Sequence, residues 1–315
     1  MSLIHLSRYL ERDGWETHFM IRDYKAGVDL AAKYGIRKIQ VMDGNLTIQG
    51  EVDEINKYIE EQRIDVVFFE ITERKLTEYD GITSRVIKAC VSFDGVVPDK
   101  TDLVVNWDVE AHTRFNTARY PDTMFLLGPE YVILPSEFDL TKIQKRMYKE
   151  SPERLLVAMG GADEFNITQK LVDVLKRNKI KLKVHVIVGA GYGYLETLHN
   201  SLKNSGLQYE IKQNITNMFN EYLECDVAVG AGGLTSYELI AAATPALLIA
   251  AYEHQVARCV YFDSQGWAKF MGFREFDGDR LSFLINHPPV SRGGYRFNTK
   301  AIVDAVNGLA KRYCS

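Results

Sequence analysis

The sequence predicts an α/β protein of two doubly wound domains, and three features carry that reading. Short, near-continuous apolar runs alternate with helix-spaced segments, the pattern of parallel sheets buried on both faces. At 315 residues the chain exceeds the length of one ordinary domain. A Lys- and Glu-rich stretch at residues 138–153, closed by Pro152, divides the alternation and reads as a linker. The predicted domains are therefore residues 1–140 and 152–315.

The elements follow in order. Leu3, Leu6 and Leu10 recur at helical spacing, and the Arg-Asp-Gly ending at Gly14 is a helix stop. An α/β domain ordinarily opens on a strand, so the first strand of the N-terminal domain is expected to be missing. Strand-like runs follow at residues 17–21, 38–41, 65–69, 86–93, 103–105 and 124–127, with helical stretches at 27–34 and 53–61. The second half repeats the scheme with strands at 155–158, 184–188, 209–211, 227–229 and 246–249, and helices at 167–176 and 235–243. In open sheets of this kind ligands bind beyond the carboxyl ends of the strands.

Composition narrows the function classes. A net charge of −4 and the lack of a basic stripe with interleaved aromatics argue against nucleic acid as a partner. Cys90, Cys225, Cys259 and Cys314 are scattered without a C-x-x-C pair, which points away from structural zinc or a disulfide framework and towards a reducing, cytoplasmic setting. No metal and no cofactor are expected. The longest apolar stretch, residues 239–252, is shorter than the roughly 20 residues of a membrane span and contains Pro245. The opening residues lack the basic-then-apolar layout of a secretory signal.

One stretch carries chemistry. In DVAVGAGGLTSYEL, residues 226–239, an apolar strand breaks at Gly230, Gly232 and Gly233 and resumes as a helix. The first amides of that helix have no internal partner, and the positive end of its dipole favours an anion, phosphate above all. Glu238, one turn in, would repel phosphate and suits neutral hydroxyls such as those of a ribose. The other reading is that the glycines only let strand and helix pack closely. The G-x-G-x-x-G dinucleotide fingerprint is not met: Thr235 holds its third position here, and Tyr194 holds it in VGAGYGY.

The segment ITNMFNEYLECDVAVGAGGLTSYELIAAATPALLIAAYEHQ, residues 215–255, resembles the nucleotide-sugar half of GT-B proteins. More closely it resembles the UDP-sugar hydrolases of pseudaminic acid biosynthesis and the related spore-coat polysaccharide proteins. FLLGPEYVILPSEF at residues 125–138 and LLVAMGGADEFNIT at residues 155–168 are similar to two further family segments, in the same order. The resemblance implies two Rossmann-like domains facing a cleft. It implies a UDP-sugar ligand, with the diphosphate on the amides of Gly232, Gly233, Leu234 and Thr235 and the ribose on Glu238. By analogy with the lipid-linked N-acetylglucosaminyl transferase, the backbone at Ile215 and Met218 would read the base. Gln255, Gly161 and Asn166 would face the sugar, although the loop of Asp163 and Asn166 also suits a cap for the helix at 167–176. The last helix, residues 299–312, would brace one domain against the other.

The resemblance weakens at the chemistry. The family carries Gly-x-Gly-His-x-x-Arg after its first strand, and alignment on MSLIHLSRYL puts that histidine before Met1. His5 lies among apolar residues and reads as structural. Thr72 stands where the family has an aromatic, and His254 stands where it has Asn. Glu70, at the end of DVVFF, and His254 are the candidate catalytic groups, each against a bland reading: an exposed strand-end carboxylate and a satisfied lone histidine. Three functions follow: a UDP-sugar hydrolase of nonulosonic-acid or surface-polysaccharide synthesis working among other pathway enzymes, a glycosyltransferase with a UDP-sugar donor, or a nucleotide-sugar-binding protein without turnover.

Overall fold

The computed structural model describes residues 2–70, 76–138, 148–149, 151–215, 217–290 and 295–313. Thr72, Cys314 and most of the predicted linker, residues 139–147 and 150, lie outside the described residues. The chain forms two units, Met1–Ser136 with Phe297–Ser315, and Glu137–Arg296.

The first unit runs α1 (Ser2–Arg12), β1 (Phe19–Arg22), α2 (Lys25–Lys33), β2 (Ile39–Met42), α3 (Ile48–Gln62), β3 (Val66–Phe69), β4 (Ile87–Val91), β5 (Leu103–Asn106), α4 (Ala111–Arg114) and β6 (Met124–Leu127). Thr47 starts α3 by accepting from the Gly50 amide at 3.1 Å. The strands are parallel but fall into two sheets, β1-β2 and β3-β4-β5-β6. β4 and β5 are buried throughout, whereas β1 and β3 are only half-buried despite their apolar sequences FMIR and VVFF. Burial pushes the His5 pKa down to about 4, with Arg8 acting in the same direction, and its ring meets Tyr34 edge-on, in keeping with a structural residue.

The second unit runs β7 (Arg154–Ala158), α5 (Ile167–Arg177), β8 (Lys183–Val188), α6 (Leu195–Lys203), β9 (Tyr209–Gln213), α7 (Met218–Glu224), β10 (Val227–Ala231), α8 (Leu234–Ala241), β11 (Ala246–Ala250), α9 (Val256–Ser264), β12 (Lys269–Phe273) and α10 (Gly278–Asn286). Its six strands form one parallel sheet in the order β12-β11-β10-β7-β8-β9. From β7 the chain winds outward through β8 and β9, then returns to the other side of β7 for β10, β11 and β12. The direction of winding thus reverses between β7 and β10, the place where doubly wound sheets hold ligands. Leu155, Val157, Val184, Val186, Val227 and Leu247 are fully buried in its core with Leu171 and Leu175 of α5.

The predicted second domain ended at residue 315, and that boundary is corrected. Helix α11 (Thr299–Tyr313) packs into the first unit, burying Ile302, Val303, Val306 and Leu309. Its polar groups are tied there too: Thr299 Oγ1 donates to the Val132 carbonyl at 3.0 Å, and Trp15 Nε1 donates to Asn307 Oδ1 at 2.8 Å. Among the described residues no helix is long and apolar enough to cross a membrane.

Candidate functional site

Two glycine-bearing loops leave the sheet where the winding reverses. After β7 come Met159, Gly160 and Gly161; after β10 come Gly232 and Gly233. A third loop, after β11, carries Tyr252, Glu253, His254 and Gln255. Tyr252 joins the outer two loops by donating its hydroxyl to Glu164 Oε2 at 2.9 Å and meeting the Phe165 ring edge-on. Arg274 closes the frame, with its guanidinium 3.6 Å from the Phe165 ring centroid and Nε donating to the Ala251 carbonyl at 2.9 Å.

The helix that follows each glycine loop differs at its amino end. At α5 the half-turn before the helix is filled by Asp163, whose two carboxylate oxygens accept from the Ile167 and Thr168 amides at 2.9 and 2.8 Å. Burial pushes the Asp163 pKa up while those amide bonds hold it down. This is the capping alternative for that loop. At α8 the N-cap is Gly233, which has no side chain to offer, and Leu234 and Thr235 supply the first turn. Ser236 is served locally: its amide and hydroxyl both donate to the Gly233 carbonyl, at 3.1 and 2.6 Å.

Each glycine of the β10 loop has a separate reason. A Cβ on Gly230 would lie 2.6 Å from Leu239 Cδ1, so strand and helix pack closely through it. A Cβ on Gly232 would lie 2.5 Å from Cys259 Sγ. Gly233 has ordinary space. The packing reading therefore holds for Gly230 and Gly232, while at Gly233 the structure shows an amino end of α8 without a side-chain cap. One assignment is corrected: the Gly232 amide donates to the Ile249 carbonyl at 3.0 Å within the sheet, so it is committed to the ladder. An anion here would meet the amides of Gly233, Leu234 and Thr235.

Glu238 sits one turn into α8 and accepts from the Tyr222 hydroxyl at 2.7 Å. Burial raises its pKa above the ordinary carboxylate range, and the bond from Tyr222 pulls the other way. Tyr222 has no exposed surface, its own pKa is pushed well up by burial, and a hydrogen bond with Thr235 opposes that rise. Met218 lies four residues before Tyr222 on α7, hence on the same face of that helix. Ile215 is half-buried in the turn leading to α7.

The remaining predicted residues fall as follows. Gln255 is buried, and its side-chain oxygen accepts from the Ala251 amide at 2.9 Å, turning its nitrogen towards the glycine loop, where it would lie 3.4 Å from a Cβ on Gly233. His254 is exposed and stacks on Tyr252 at 5.7 Å. Asn166 takes a left-handed conformation and accepts from the Tyr192 hydroxyl at 2.8 Å. Gly161 is exposed with open space at its Cα. Glu70 belongs to the first unit, where its carboxylate accepts from the Leu3 amide at 3.3 Å and so supports the amino end of α1. Among the described residues no group of three His, Cys, Asp or Glu side chains is placed to hold a metal.

Arg258 was not anticipated. It is buried in α9, donates Nη1 to the Gly232 carbonyl at 2.9 Å, and lies 5.0 Å from the Tyr237 ring centroid. It holds the glycine loop from behind and sets a positive charge beneath it. Its signal in the sequence is a lone charge in VARCVYF.

Comparison with known proteins bears on the fold. A model described as the glycosyltransferase family 28 C-terminal domain matches residues 155–287. An uncharacterized Methanocaldococcus jannaschii protein, MJ1062, is 28% identical over 192 residues, which is 57% of this chain and 38% of that one, so the chain spans well under half of this relative's length. The Bacillus subtilis spore coat polysaccharide biosynthesis protein SpsG is 24% identical over 235 residues, 71% of this chain and 67% of that one. Among solved structures, Acinetobacter baumannii MurG superposes with a TM-score of 0.63 at 14% identity, covering 98% of this chain and 95% of its own. A Methanocaldococcus jannaschii UDP-GlcNAc 2-epimerase in complex with UDP-GlcNAc and UDP gives 0.61 at 11% identity over 98% and 96%. The chain has the GT-B fold, with α8 and its glycine loop inside the stretch similar to the family 28 C-terminal domain.

Proposed function

We propose that this chain binds a UDP-sugar and transfers its sugar to an acceptor hydroxyl in the synthesis of a surface polysaccharide. The observation that carries the reading is the uncapped amino end of α8, set beyond Gly233 at the reversal point of the sheet with Glu238 one turn behind it. The amides of Gly233, Leu234 and Thr235 hold the diphosphate, Glu238 accepts from ribose hydroxyls, and the backbone at Ile215 and Met218 meets the base. Gln255, Gly161 and Asn166 face the sugar. In the reaction the bond between the anomeric carbon and the β-phosphate oxygen breaks as the acceptor oxygen bonds to that carbon. The acceptor proton leaves to a base, and the charge on departing UDP is stabilised by the amides and dipole of α8. Similarity to the family 28 domain and to MurG supports transfer, and the UDP held by a fold relative supports the nucleotide.

A second reading replaces the acceptor with water, giving a UDP-sugar hydrolase. It is supported by the three quoted segments, at residues 125–138, 155–168 and 215–255, and their likeness to the pseudaminic acid hydrolases. A cytoplasmic location among other enzymes of the pathway belongs to both readings. Calorimetric titration with UDP tests the shared part, and binding that is indifferent to Gly233→Asp removes it. Incubation with UDP-linked acetamido sugars, followed by NMR, separates the two. Free sugar released at turnover rates favours water; release of UDP only when an acceptor extract is added, without matching free sugar, favours transfer.

A further inference from the structure

The Tyr222 hydroxyl is a buried polar group to which the UDP-sugar reading gives no task. The side chain has no exposed surface and is fixed along its whole length. The Tyr222 backbone carbonyl accepts from Thr244 Oγ1 at 3.0 Å, the ring packs 6.1 Å from the Phe138 ring, and the hydroxyl donates to Glu238 Oε2 at 2.7 Å. Thr235 meets the same hydroxyl, and because that bond lowers the tyrosine pKa, Thr235 is the donor in it. The donors therefore run one way, from Thr235 Oγ1 to Tyr222 Oη and from Tyr222 Oη to Glu238 Oε2, an arrangement in which each bond strengthens the next.

The consequence falls on the carboxylate. Glu238 is half-buried, and among the described residues its side chain has no partner besides Tyr222. Oε2 is thus committed within the protein, and Oε1 is left as an acceptor without a protein donor. Burial favours the protonated acid, whereas the bond from Tyr222 favours the carboxylate. Without the tyrosine hydroxyl the carboxyl group is free to turn about its last torsion and to carry a proton, so that it donates or accepts interchangeably. With it, the group is held in one orientation and as an acceptor only. Such an oxygen binds a hydroxyl that donates, and an analogue lacking that hydroxyl leaves a half-buried charged oxygen without a partner. The relay also begins on Thr235, one of the residues whose amides face the diphosphate in that reading, so α7 ties the two ends of the nucleotide site together.

Resting on the UDP reading of this site, we infer that Tyr222 is a specificity-determining positioning residue: by holding Glu238 through Oε2 it makes the site select ribonucleoside diphosphates over their 2′-deoxy counterparts. The donors it admits are therefore those carried on uridine diphosphate, and those built on a 2′-deoxynucleoside diphosphate are rejected. Tyr222 touches no part of the nucleotide and acts through Glu238 alone.

Calorimetric titration of UDP and of 2′-deoxy-UDP into the full chain and into its Tyr222→Phe variant tests this. In the parent, UDP is expected to bind at least about tenfold tighter, the worth of one hydrogen bond to a charged group. In Tyr222→Phe the ratio is expected to fall below about threefold, through loss of UDP affinity, while affinity for 2′-deoxy-UDP stays within about twofold of the parent's. A purely structural defect weakens both nucleotides alike and leaves the ratio where it was. A ratio near one in the parent overturns the inference, and so does an unchanged ratio in Tyr222→Phe. Should Tyr222→Phe fail to fold, Thr235→Val, which is isosteric and lacks only the first donor of the relay, gives the same reading: the ratio should fall about threefold, and an unchanged ratio overturns the inference. If UDP does not bind the parent at all, the nucleotide reading falls and this inference with it; if UDP and 2′-deoxy-UDP bind equally, only this inference falls.

Discussion

Helices α5 and α8 follow the two strands that flank the reversal point, each after a glycine-bearing loop, yet one end is closed and the other open. At α5 the buried carboxylate of Asp163 takes the first amides of the helix, so the dipole is already answered from within the chain. At α8 the equivalent place is held by Gly233, and the loop is instead fastened from behind by Arg258. A helix end is left available to an anion when the sequence withholds a cap and supplies the rigidity by another route.

The largest effect comes from making α8 resemble α5. Gly233→Asp introduces an N-cap carboxylate at a position with space for a side chain. UDP affinity is expected to fall more than about 100-fold, since a like charge then faces the diphosphate. The thermal midpoint should rise at the same time by about 1 °C, because an Asp cap gains only about 0.3 kcal/mol over Gly. Calorimetry and a melt on one sample read both; loss of affinity with loss of stability would point to damage rather than capping.

Next is Gly232→Ala, whose Cβ would be 2.5 Å from Cys259 Sγ. Overpacking of this kind costs about 1–3 kcal/mol, and adding Cys259→Ala should restore part of it, a coupling that chemical denaturation of the single and double variants measures.

A smaller effect separates charge from contact at Glu238. Its pKa is raised in the folded state, so the folded chain holds that proton more tightly than the unfolded chain. This contribution is full below the ordinary carboxylate range and is lost as pH rises through the raised value. Glu238→Gln removes the loss, so relative to the parent its stability should climb between about pH 4.5 and the raised value, while UDP affinity drops about tenfold. Denaturation midpoints across pH, set beside a UDP titration, check both signs.

The smallest is Asp163→Asn, which weakens the α5 cap by about 0.5–1 kcal/mol and leaves UDP affinity unchanged. If UDP affinity fell as far as with Gly233→Asp, the distinction between the two helix ends would be lost.

How far the sequence could be read follows from the range of the interactions involved. The β10 loop, α8 and the position of Glu238 were legible because they depend on neighbours in the chain: apolar period, glycines and a helix pattern. The commitment of the Gly232 amide to Ile249, the tyrosine beneath Glu238 and the arginine beneath the loop were not, because each partner comes from another element. β12 escaped notice because KFMGF mixes a charge and a glycine at positive φ into a short run. The domain boundary failed at α11 for a related reason: an amphipathic helix declares a buried face, and nothing in its spacing says against which sheet. β3 is half-buried, where composition alone would have placed VVFF deep inside.

Cys259 has a practical consequence. Its thiol is fully covered behind the glycine loop, and burial pushes its pKa up to about 12, so alkylation in the closed state is negligible. Reagent therefore reaches sulfur only when the loop breathes, and the labelling rate at that single position, followed by peptide mass spectrometry, becomes a clock for loop opening that saturating nucleotide should slow.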